Sequence, residues 1–245
     1  GVNCYVLISG YFLIESNHFK WKKVIHLWGT IFFYVTGIYL FCAVMGWAPF
    51  SWRSMLKVFF PIKLTTYWFA TVYLGLYVIY PYLNMISRQL DKRAYQRFLL
   101  ILLLICSIYS FAGDTFHVVG GYSLIWFIVL YYTGGYIRRF FAYENCPRIA
   151  IGYVLMTLAV FLSKVVLTKA SMAFGFHGKG AAVFYEYNAP TIFFTAVALF
   201  LLFKTWKIKN EFLVKGINFF APLTFGVYLL HYNTYIKPLL WRQWV

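Results

Sequence analysis

Charged residues are scarce in this chain, and acidic residues are the scarcest of all. Only 11% of its 245 residues are charged, and Asp and Glu together number 6 against 22 Lys and Arg. Because soluble globular domains carry about 25% charged residues, this composition argues against a soluble fold. Hydrophobic residues make up 62% of the chain and gather in long runs, which is typical of a polytopic membrane protein.

Grouped metal ligands are lacking as well. Cys4, Cys42, Cys106 and Cys146 lie far apart, and the first three lie within apolar runs. This spacing fits neither a metal site nor the disulfide framework of a small secreted domain. We therefore predict no metal and interpret the cysteines as small apolar fillers.

The excess of basic residues gives a net charge of +16, which in a soluble protein would suggest nucleic acid binding. Here the basic residues stand in short loops beside apolar runs, as the topology determinants of membrane proteins do. We therefore predict membrane lipids as partners and no nucleic acid.

Eight apolar segments follow one another, and most have the roughly 17–25 residues that a membrane span needs. Backbone polar groups must be paired internally within lipid, and the alternating pattern of a barrel is missing, so we predict helices. The predicted fold is an all-α, polytopic transmembrane helical bundle of about eight spans, forming a single domain over residues 1–245. The predicted spans are 1–14, 24–45, 65–83, 97–113, 120–141, 149–168, 189–205 and 217–240.

Two connecting stretches have a character of their own. Arg53 and Lys57 lie four residues apart among aromatic residues in the stretch 46–63, which indicates a helix lying on the membrane surface. The glycine-rich loop at 175–180 lacks the lysine and Ser/Thr spacing of a phosphate-binding loop, so we do not interpret it as one.

Lysine and arginine counts predict the orientation. The loops 15–23, 84–97, 138–148 and 204–216 all lie on one side of the predicted bundle and carry 14 of the 22 basic residues. The positive-inside rule therefore places these four loops in the cytoplasm.

The first 28 residues hold the most distinctive pattern, two apolar runs joined by a short basic connection. Ser9, Gly10 and Tyr11 place a small polar spot inside the first run, where glycine permits close approach and serine offers a hydroxyl. Basic residues at the mouth of a bundle are suited to dock an anionic cofactor, and lipid headgroup contact is the alternative explanation. We call the basic residues of this connection the basic elbow, which consists of Lys20, Lys22, Lys23 and His26.

Four phrases in chain order resemble those of acyltransferase family 3, whose members are multi-spanning membrane enzymes that acylate sugars of surface glycans. The first is 7–11 (LISGY), and it is followed by a basic elbow that in the family is usually rich in arginine. The later phrases begin at Tyr67 (YWF, ahead of Pro81), at Gly121 (GYS) and at Phe225 (FGVYLLH). The resemblance covers essentially the whole chain.

The resemblance implies transfer of an acetyl group from cytoplasmic acetyl-CoA to a sugar hydroxyl of a surface polysaccharide or of its lipid-linked precursor. It also implies a bacterial inner or plasma membrane and a full protein with two more helices than the eight predicted here. The family's first helix carries an arginine and a histidine that is taken to be the catalytic base. We therefore expect that histidine upstream of Gly1, expect a last helix after Val245, and interpret the chain as a fragment.

Within this chain, the resemblance points to residues for the donor and for the chemistry. Two histidines are candidates for catalysis, His26 and His231, and a structural hydrogen bond is the alternative role for either. The phosphates of CoA are expected to contact Lys20, Lys22, Lys23 and His26.

The acceptor sugar is expected to meet aromatic faces and hydroxyl groups of the bundle. Close helix packing and the interfacial aromatic belt are the alternative roles for the same side chains. The residues expected to bind the acceptor are Ser9, Tyr11, Trp68, Tyr73 and Trp126.

Two functions from other classes stay open. A polytopic glycan-lipid transporter or translocase would share the membrane composition, but it would more often show inverted repeats and broken helices in matching halves. A non-catalytic assembly subunit is the third possibility. An arginine and histidine pair just upstream in the full reading frame would favour the enzyme.

Overall fold

The computed structural model describes residues 1–16, 18–49, 51, 67–109, 114–143, 145–174, 183–206 and 208–241. These residues form helices joined by turns, with no strand among them, which confirms the all-α fold. The predicted surface helix around Arg53 and Lys57 and the glycine-rich loop at 175–180 lie outside the described residues.

Ten α-helices are present within these ranges. A π-helical stretch, Leu104–Ile108, continues the fourth, and short 3-10 turns occur at Val119–Gly121 and Val183–Tyr185. The α-helices are α1 (Val2–Leu13), α2 (Trp21–Val44), α3 (Trp68–Gln89), α4 (Lys92–Leu103), α5 (Leu124–Phe140), α6 (Cys146–Ala173), α7 (Pro190–Thr205), α8 (Glu211–Phe220), α9 (Leu223–His231) and α10 (Ile236–Trp241).

Polar side chains decide where several helices begin. The Asp91 carboxylate accepts a hydrogen bond from the Ala94 amide over 2.7 Å, so α4 starts well before the predicted position 97. Ser123, Asn145 and Asn210 accept hydrogen bonds from amides in the first turns of α5, α6 and α8 in the same way. Each cap satisfies backbone donors that have no partner within the helix.

The predicted span 217–240 is wrong as one continuous helix. It is divided into α8, α9 and α10, and α8 and α9 are bent by 45° at the break. Pro222 stands at that break, where its missing amide hydrogen and its ring interrupt the helical ladder. Asn233 marks the second break, where its side chain accepts a hydrogen bond from the Tyr235 amide over 2.9 Å.

The number of spans also differs from the prediction. Four helical stretches are long and apolar enough to cross a membrane, namely α2, α3, α6 and Val183–Thr205, and the bent pair α8–α9 makes five. Helix α5 has 17 residues, fewer than the roughly 20 that a straight span needs. The described parts of α1 and α4 have 12 residues each, and the π-helical stretch continues α4 to Ile108. The chain is a helical membrane protein, but the predicted count of about eight spans is not confirmed.

The chain divides into two compact units, and the prediction of a single domain stays a prediction. The first unit comprises Gly1–Phe19 and Gly75–Trp206, and the second comprises Lys20–Leu74 and Lys207–Val245.

In the first unit, α1 packs against α5 and α7, while α6 packs against α7 and α4 against α5. Glycines set the closeness of α1 to α5. A side chain at Gly10 would collide with the Tyr131 carbonyl, and one at Gly134 would collide with the Leu7 carbonyl. Small residues at such contacts let the helix backbones approach, which is how helices associate within membranes.

In the second unit, α2, the first turns of α3 and the helices α8 to α10 surround a separate apolar core. Its centre includes Ile31, Tyr39 and Leu229, each no more than 1% exposed. The Tyr67 hydroxyl lies within this core and accepts a hydrogen bond from the Asn233 amide over 3.0 Å. Within a membrane, close packing of such side chains and hydrogen bonds between helices are what hold helices together, because lipid tails are as apolar as the side chains.

Candidate functional site

The end of α1 is fixed by a buried polar network in the first unit. The Asn84 amide nitrogen donates to the Leu13 carbonyl over 2.7 Å and to the Ser16 carbonyl over 3.1 Å. The Asn84 amide oxygen accepts from the Tyr131 hydroxyl over 2.6 Å. Carbonyls at a helix C-terminus have no partner within the helix, so Asn84 of α3 supplies the donor that the Leu13 carbonyl lacks, and Tyr131 of α5 holds Asn84 in place.

His18 and Phe19, which follow α1, are bound to residues of α3. The Tyr80 hydroxyl donates to the His18 carbonyl over 3.0 Å. The Phe19 ring packs against the rings of Tyr77 and Tyr80, with centroids 5.6 and 6.0 Å apart. The residues that follow α1 thus have a defined path along α3.

Two arginines from different helices line one cavity at this end of the unit. The Arg88 guanidinium donates to the Ser16 carbonyl over 3.3 Å. The Arg139 guanidinium donates to the Ser87 carbonyl and, over 3.1 Å, to the Ser87 hydroxyl, and it lies 4.9 Å from the centroid of the Phe140 ring. These contacts fix the positions of both guanidinium groups.

The cavity between them has a volume of about 450 Å³ and is lined by Ile14, Glu15, Arg88 and Arg139. We call it the basic cavity. Its size is within the range of small-molecule sites. Two guanidinium groups outweigh the single carboxylate, and guanidinium binds phosphate oxygens through paired hydrogen bonds. The arrangement is therefore suited to a phosphate-bearing ligand.

Arg138, next in sequence, points to a different neighbourhood. Its Nε donates to Glu15 Oε2 over 3.1 Å, its Nη1 donates to the Tyr11 hydroxyl over 3.4 Å, and its guanidinium lies 5.2 Å from the Tyr11 ring centroid. Both charged side chains are about half exposed, at 45% and 55%. An exposed pair of this kind contributes only about 0–1 kcal/mol, so it positions Arg138 more than it stabilises the fold.

A second cavity, of about 680 Å³, lies along α1 and α7, and we call it the apolar groove. Its walls include Ile8, Phe12, Phe200 and Phe203, and its cations are Arg138 and Lys204.

Both cations stand at the same end of the apolar groove. The Cys4 thiol lies 3.6 Å from the Ala196 carbonyl, and the Tyr11 ring lies 5.5 Å from the Phe200 ring, so α1 and α7 run in the same direction. Lys204 lies one turn beyond Phe200 and therefore reaches the end where Arg138 contacts Tyr11.

The structure brings only some of the predicted acceptor residues to these cavities. Tyr11 lines the apolar groove beside Arg138. The Ser9 hydroxyl donates back to the Tyr5 carbonyl over 3.0 Å. Trp126 is fully buried, and its indole nitrogen donates to the Asn3 side chain over 3.3 Å, so its place is in the packing of α5 against α1.

The other predicted site residues belong to the second unit. Trp68 and Tyr73 are partly buried on α3, and the Tyr73 ring stacks on the Phe69 ring with centroids 5.9 Å apart. The basic elbow is exposed at the start of α2. The roles predicted for all these residues, and for those in the first unit, stay predictions.

His231 has a geometry that bears on its chemistry. It is exposed at the end of α9, and its Nδ1 lies 2.9 Å from the Val227 carbonyl oxygen. Since a carbonyl oxygen can only accept, Nδ1 carries the proton of the neutral ring, and Nε2 presents a lone pair. His26, by contrast, contributes its backbone carbonyl, which accepts from the Thr30 hydroxyl over 2.8 Å.

The sequence analysis missed Arg88 and Arg139 as site residues. Both fall in the basic loops 84–97 and 138–148, where they served only to predict orientation. Their common position at helix ends on the predicted cytoplasmic side was a usable signal. No local sequence pattern, however, predicts that Arg88 and Arg139, which lie far apart in the chain, line one cavity with Glu15.

One comparison with known proteins gives a result. The family model of acyltransferase family 3, described as an acyltransferase domain, matches residues 1–244. Comparisons with curated proteins and with solved structures found no match.

Proposed function

The chain belongs to acyltransferase family 3, and from this membership we propose an acetyl transfer from cytoplasmic acetyl-CoA to a sugar hydroxyl. The acceptor is a surface polysaccharide or its lipid-linked precursor. The observation that carries the proposal is the match of the family model over residues 1–244. We propose further that the protein lies in a bacterial inner or plasma membrane, that its basic loops face the cytoplasm, and that it crosses the membrane with the eight predicted spans.

The reaction needs three contributions from the protein. A base takes the proton of the sugar hydroxyl, whose oxygen then attacks the thioester carbonyl carbon. The new carbon–oxygen bond replaces the carbon–sulfur bond, and the CoA thiolate leaves and is protonated. Donors or cations near the carbonyl oxygen stabilise the negative charge that develops there.

The basic cavity is the proposed contact for the CoA phosphates. Arg88 and Arg139 line a space of about 450 Å³ whose charge complements an anionic ligand. Both arginines lie in loops with a predicted cytoplasmic position, where acetyl-CoA is found. The basic elbow, whose side chains are exposed, stays the separate phosphate contact that the sequence predicts.

For the base, the histidine expected upstream of Gly1 remains the first expectation from the resemblance. Of the two candidates within this chain, His231 is the better arranged, because its Nδ1 contact with the Val227 carbonyl leaves Nε2 as the acceptor. A ring held in this tautomer can accept a hydroxyl proton directly.

The experiment compares two donors with the full-length protein in lipid nanodiscs. Acetyl-CoA and acetyl-dephospho-CoA, which lacks the 3′-phosphate, are offered with the host polysaccharide, and KM is measured for each. Arg88→Gln removes one proposed phosphate contact. Lys92→Gln removes an exposed charge of the same loop that does not line the cavity.

We expect Arg88→Gln to raise KM for acetyl-CoA about tenfold, because a hydrogen bond to a charged group contributes about 1.5–3 kcal/mol. Lys92→Gln should leave KM within about twofold, as expected for a charge that makes no contact with the donor. Equal KM values for both variants would contradict the donor site. A wild-type protein that transfers no acetyl group in any of these assays would contradict the function.

One observation favours the alternative of a glycan-lipid transporter. Helices α8 and α9 form a bent pair at a break of few residues, and broken helices are a mark of transporters. Within the described residues this is the one apolar helix pair with such a bend, whereas a transporter of that type would carry matching breaks in both halves. Loss of polysaccharide export with unchanged acetylation, on deletion of the gene, would establish the transporter.

A further inference from the structure

The apolar groove is open along one side and charged at one end. We propose that it binds a single anionic phospholipid, with one acyl chain along α1 and α7 and the phosphate between Arg138 and Lys204. This binding site is separate from the basic cavity, and it does not depend on the proposed acetyl transfer.

The length of the groove fits one leaflet. Its lining on α1 runs from Gly1 to Phe12 along one face of the helix. At 1.5 Å per residue, the 12 residues of α1 extend about 18 Å. Half of a hydrocarbon core about 30 Å thick is about 15 Å. The lining on α1 is therefore about as long as the depth that one acyl chain occupies.

The side of the groove admits a lipid from the bilayer. Phe12 and Phe203, on opposite walls, are 69% and 56% exposed, and Tyr5 and Ile8 are also exposed. An acyl chain that enters between them would pack its methylene groups against aromatic rings. Since the bilayer already shields lipid tails from water, the charged end must provide most of the selectivity.

The charged end favours a headgroup with one net negative charge. Arg138 and Lys204 carry two positive charges, and Glu15, paired with Arg138, offsets one of them. The Lys204 amine lies 3.5 Å from the Phe141 carbonyl, a contact that leaves it further donors for a phosphate. The positive end of a zwitterionic headgroup such as phosphatidylcholine would meet the same cations and be repelled. The cytoplasmic leaflet, where this end is predicted to lie, is the one rich in anionic lipid.

The test measures lipid retention by native mass spectrometry on the full-length protein purified in detergent. Phosphatidylglycerol and phosphatidylcholine are added separately at increasing ratios, and no acetyl-CoA is present. The outcome is therefore independent of whether the protein transfers acetyl groups. We expect one retained phosphatidylglycerol, bound about tenfold more tightly than phosphatidylcholine, which corresponds to 1.4 kcal/mol.

Two pairs of variants assign the site. The double variant Arg138→Gln with Lys204→Gln should reduce the preference for phosphatidylglycerol to about twofold or less. Its matched control, Arg148→Gln with Lys209→Gln, removes two exposed charges from the same two basic loops and should keep the preference. If the double variant does not fold, Lys204→Gln alone takes its place, because Lys204 makes no ion pair among the described residues.

A second pair tests the groove without changing charge. Ile8→Trp should fill the groove and abolish retention of either lipid, while Leu155→Trp, at an exposed position on α6, should keep it. Equal binding of the two lipids, or retention unchanged in both Ile8→Trp and the charge variant, would overturn the proposal. A wild-type protein that retains no lipid would mean that protein covers the groove. A retained polyprenyl phosphate or long-chain acyl-CoA would identify a different ligand. Either result would also overturn the proposal.

Discussion

Asn84 is the side chain on which the end of α1 depends most. It is 1% exposed, and its amide joins three helices: the nitrogen donates to the Leu13 carbonyl of α1, and the oxygen accepts from the Tyr131 hydroxyl of α5. Buried amides that lose a partner leave an unsatisfied polar atom, which costs more than the bond itself contributed. The path of the residues after α1, including Glu15, which lines the basic cavity and pairs with Arg138, rests on this network.

Removing the Tyr131 hydroxyl tests that network. We expect Tyr131→Phe to lower the free energy of unfolding by about 1–3 kcal/mol, because the Asn84 oxygen stays buried without its donor. Thermal unfolding of the purified protein, followed by size-exclusion chromatography after heating, measures the loss. Tyr82→Phe, at a position on α3 that is 68% exposed, is the control. Equal stability of the two variants would show that the network does not hold α1.

At the scale of elements, the contact between α1 and α5 is set by two glycines. The positions of a side chain at Gly10 and Gly134 are occupied by backbone atoms of the opposing helix, which cannot move aside as a flexible side chain can. The helices must therefore separate to accept even one methyl group, and the apolar groove and both arginines at the end of α5 would shift with them.

Gly134→Ala should therefore destabilise the first unit. Overpacking costs about 1–3 kcal/mol and occasionally more, and a backbone obstacle places this site at the upper end. Gly152→Ala, on α6, has open space around the added methyl group and should be neutral or slightly stabilising. Melting temperatures of the two variants in detergent decide between these expectations. A Gly134→Ala protein as stable as wild type would contradict the close packing of α1 on α5.

Sequence patterns predicted most helices because long apolar runs leave the backbone no other way to pair its polar groups in lipid. They did not predict the break at Pro222, since an apolar run continues on both sides of it. Hydropathy measures how apolar the side chains are and does not show where the backbone hydrogen bonds of a helix are interrupted. They also did not predict the basic cavity. Arg88 and Arg139 line one cavity because direct contacts join α3 and α5, such as Tyr131 with Asn84 and Arg139 with Ser87. These contacts have no signature in local sequence.

At the scale of the whole molecule, the basic loops predict how the protein lies in its membrane. In a variant without native cysteines, Lys209→Cys should be protected from a membrane-impermeant maleimide in intact cells and react after permeabilisation. Thr115→Cys, in a loop predicted on the opposite side, should react in intact cells. Both positions are exposed, so access to reagent depends on the membrane alone. The reverse labelling pattern would contradict the predicted orientation and the cytoplasmic position of the basic cavity.

The most direct test of the central claim is chemical analysis of the host's surface polysaccharide. The full-length gene is deleted and then restored, and the O-acetyl methyl signals of the purified polysaccharide are measured by proton NMR. Restoration is made with wild type, His231→Ala and His26→Ala. We predict that the signals vanish on deletion and return with wild type. A polysaccharide whose acetylation never changes would contradict the claim that this membrane acyltransferase acetylates surface glycans.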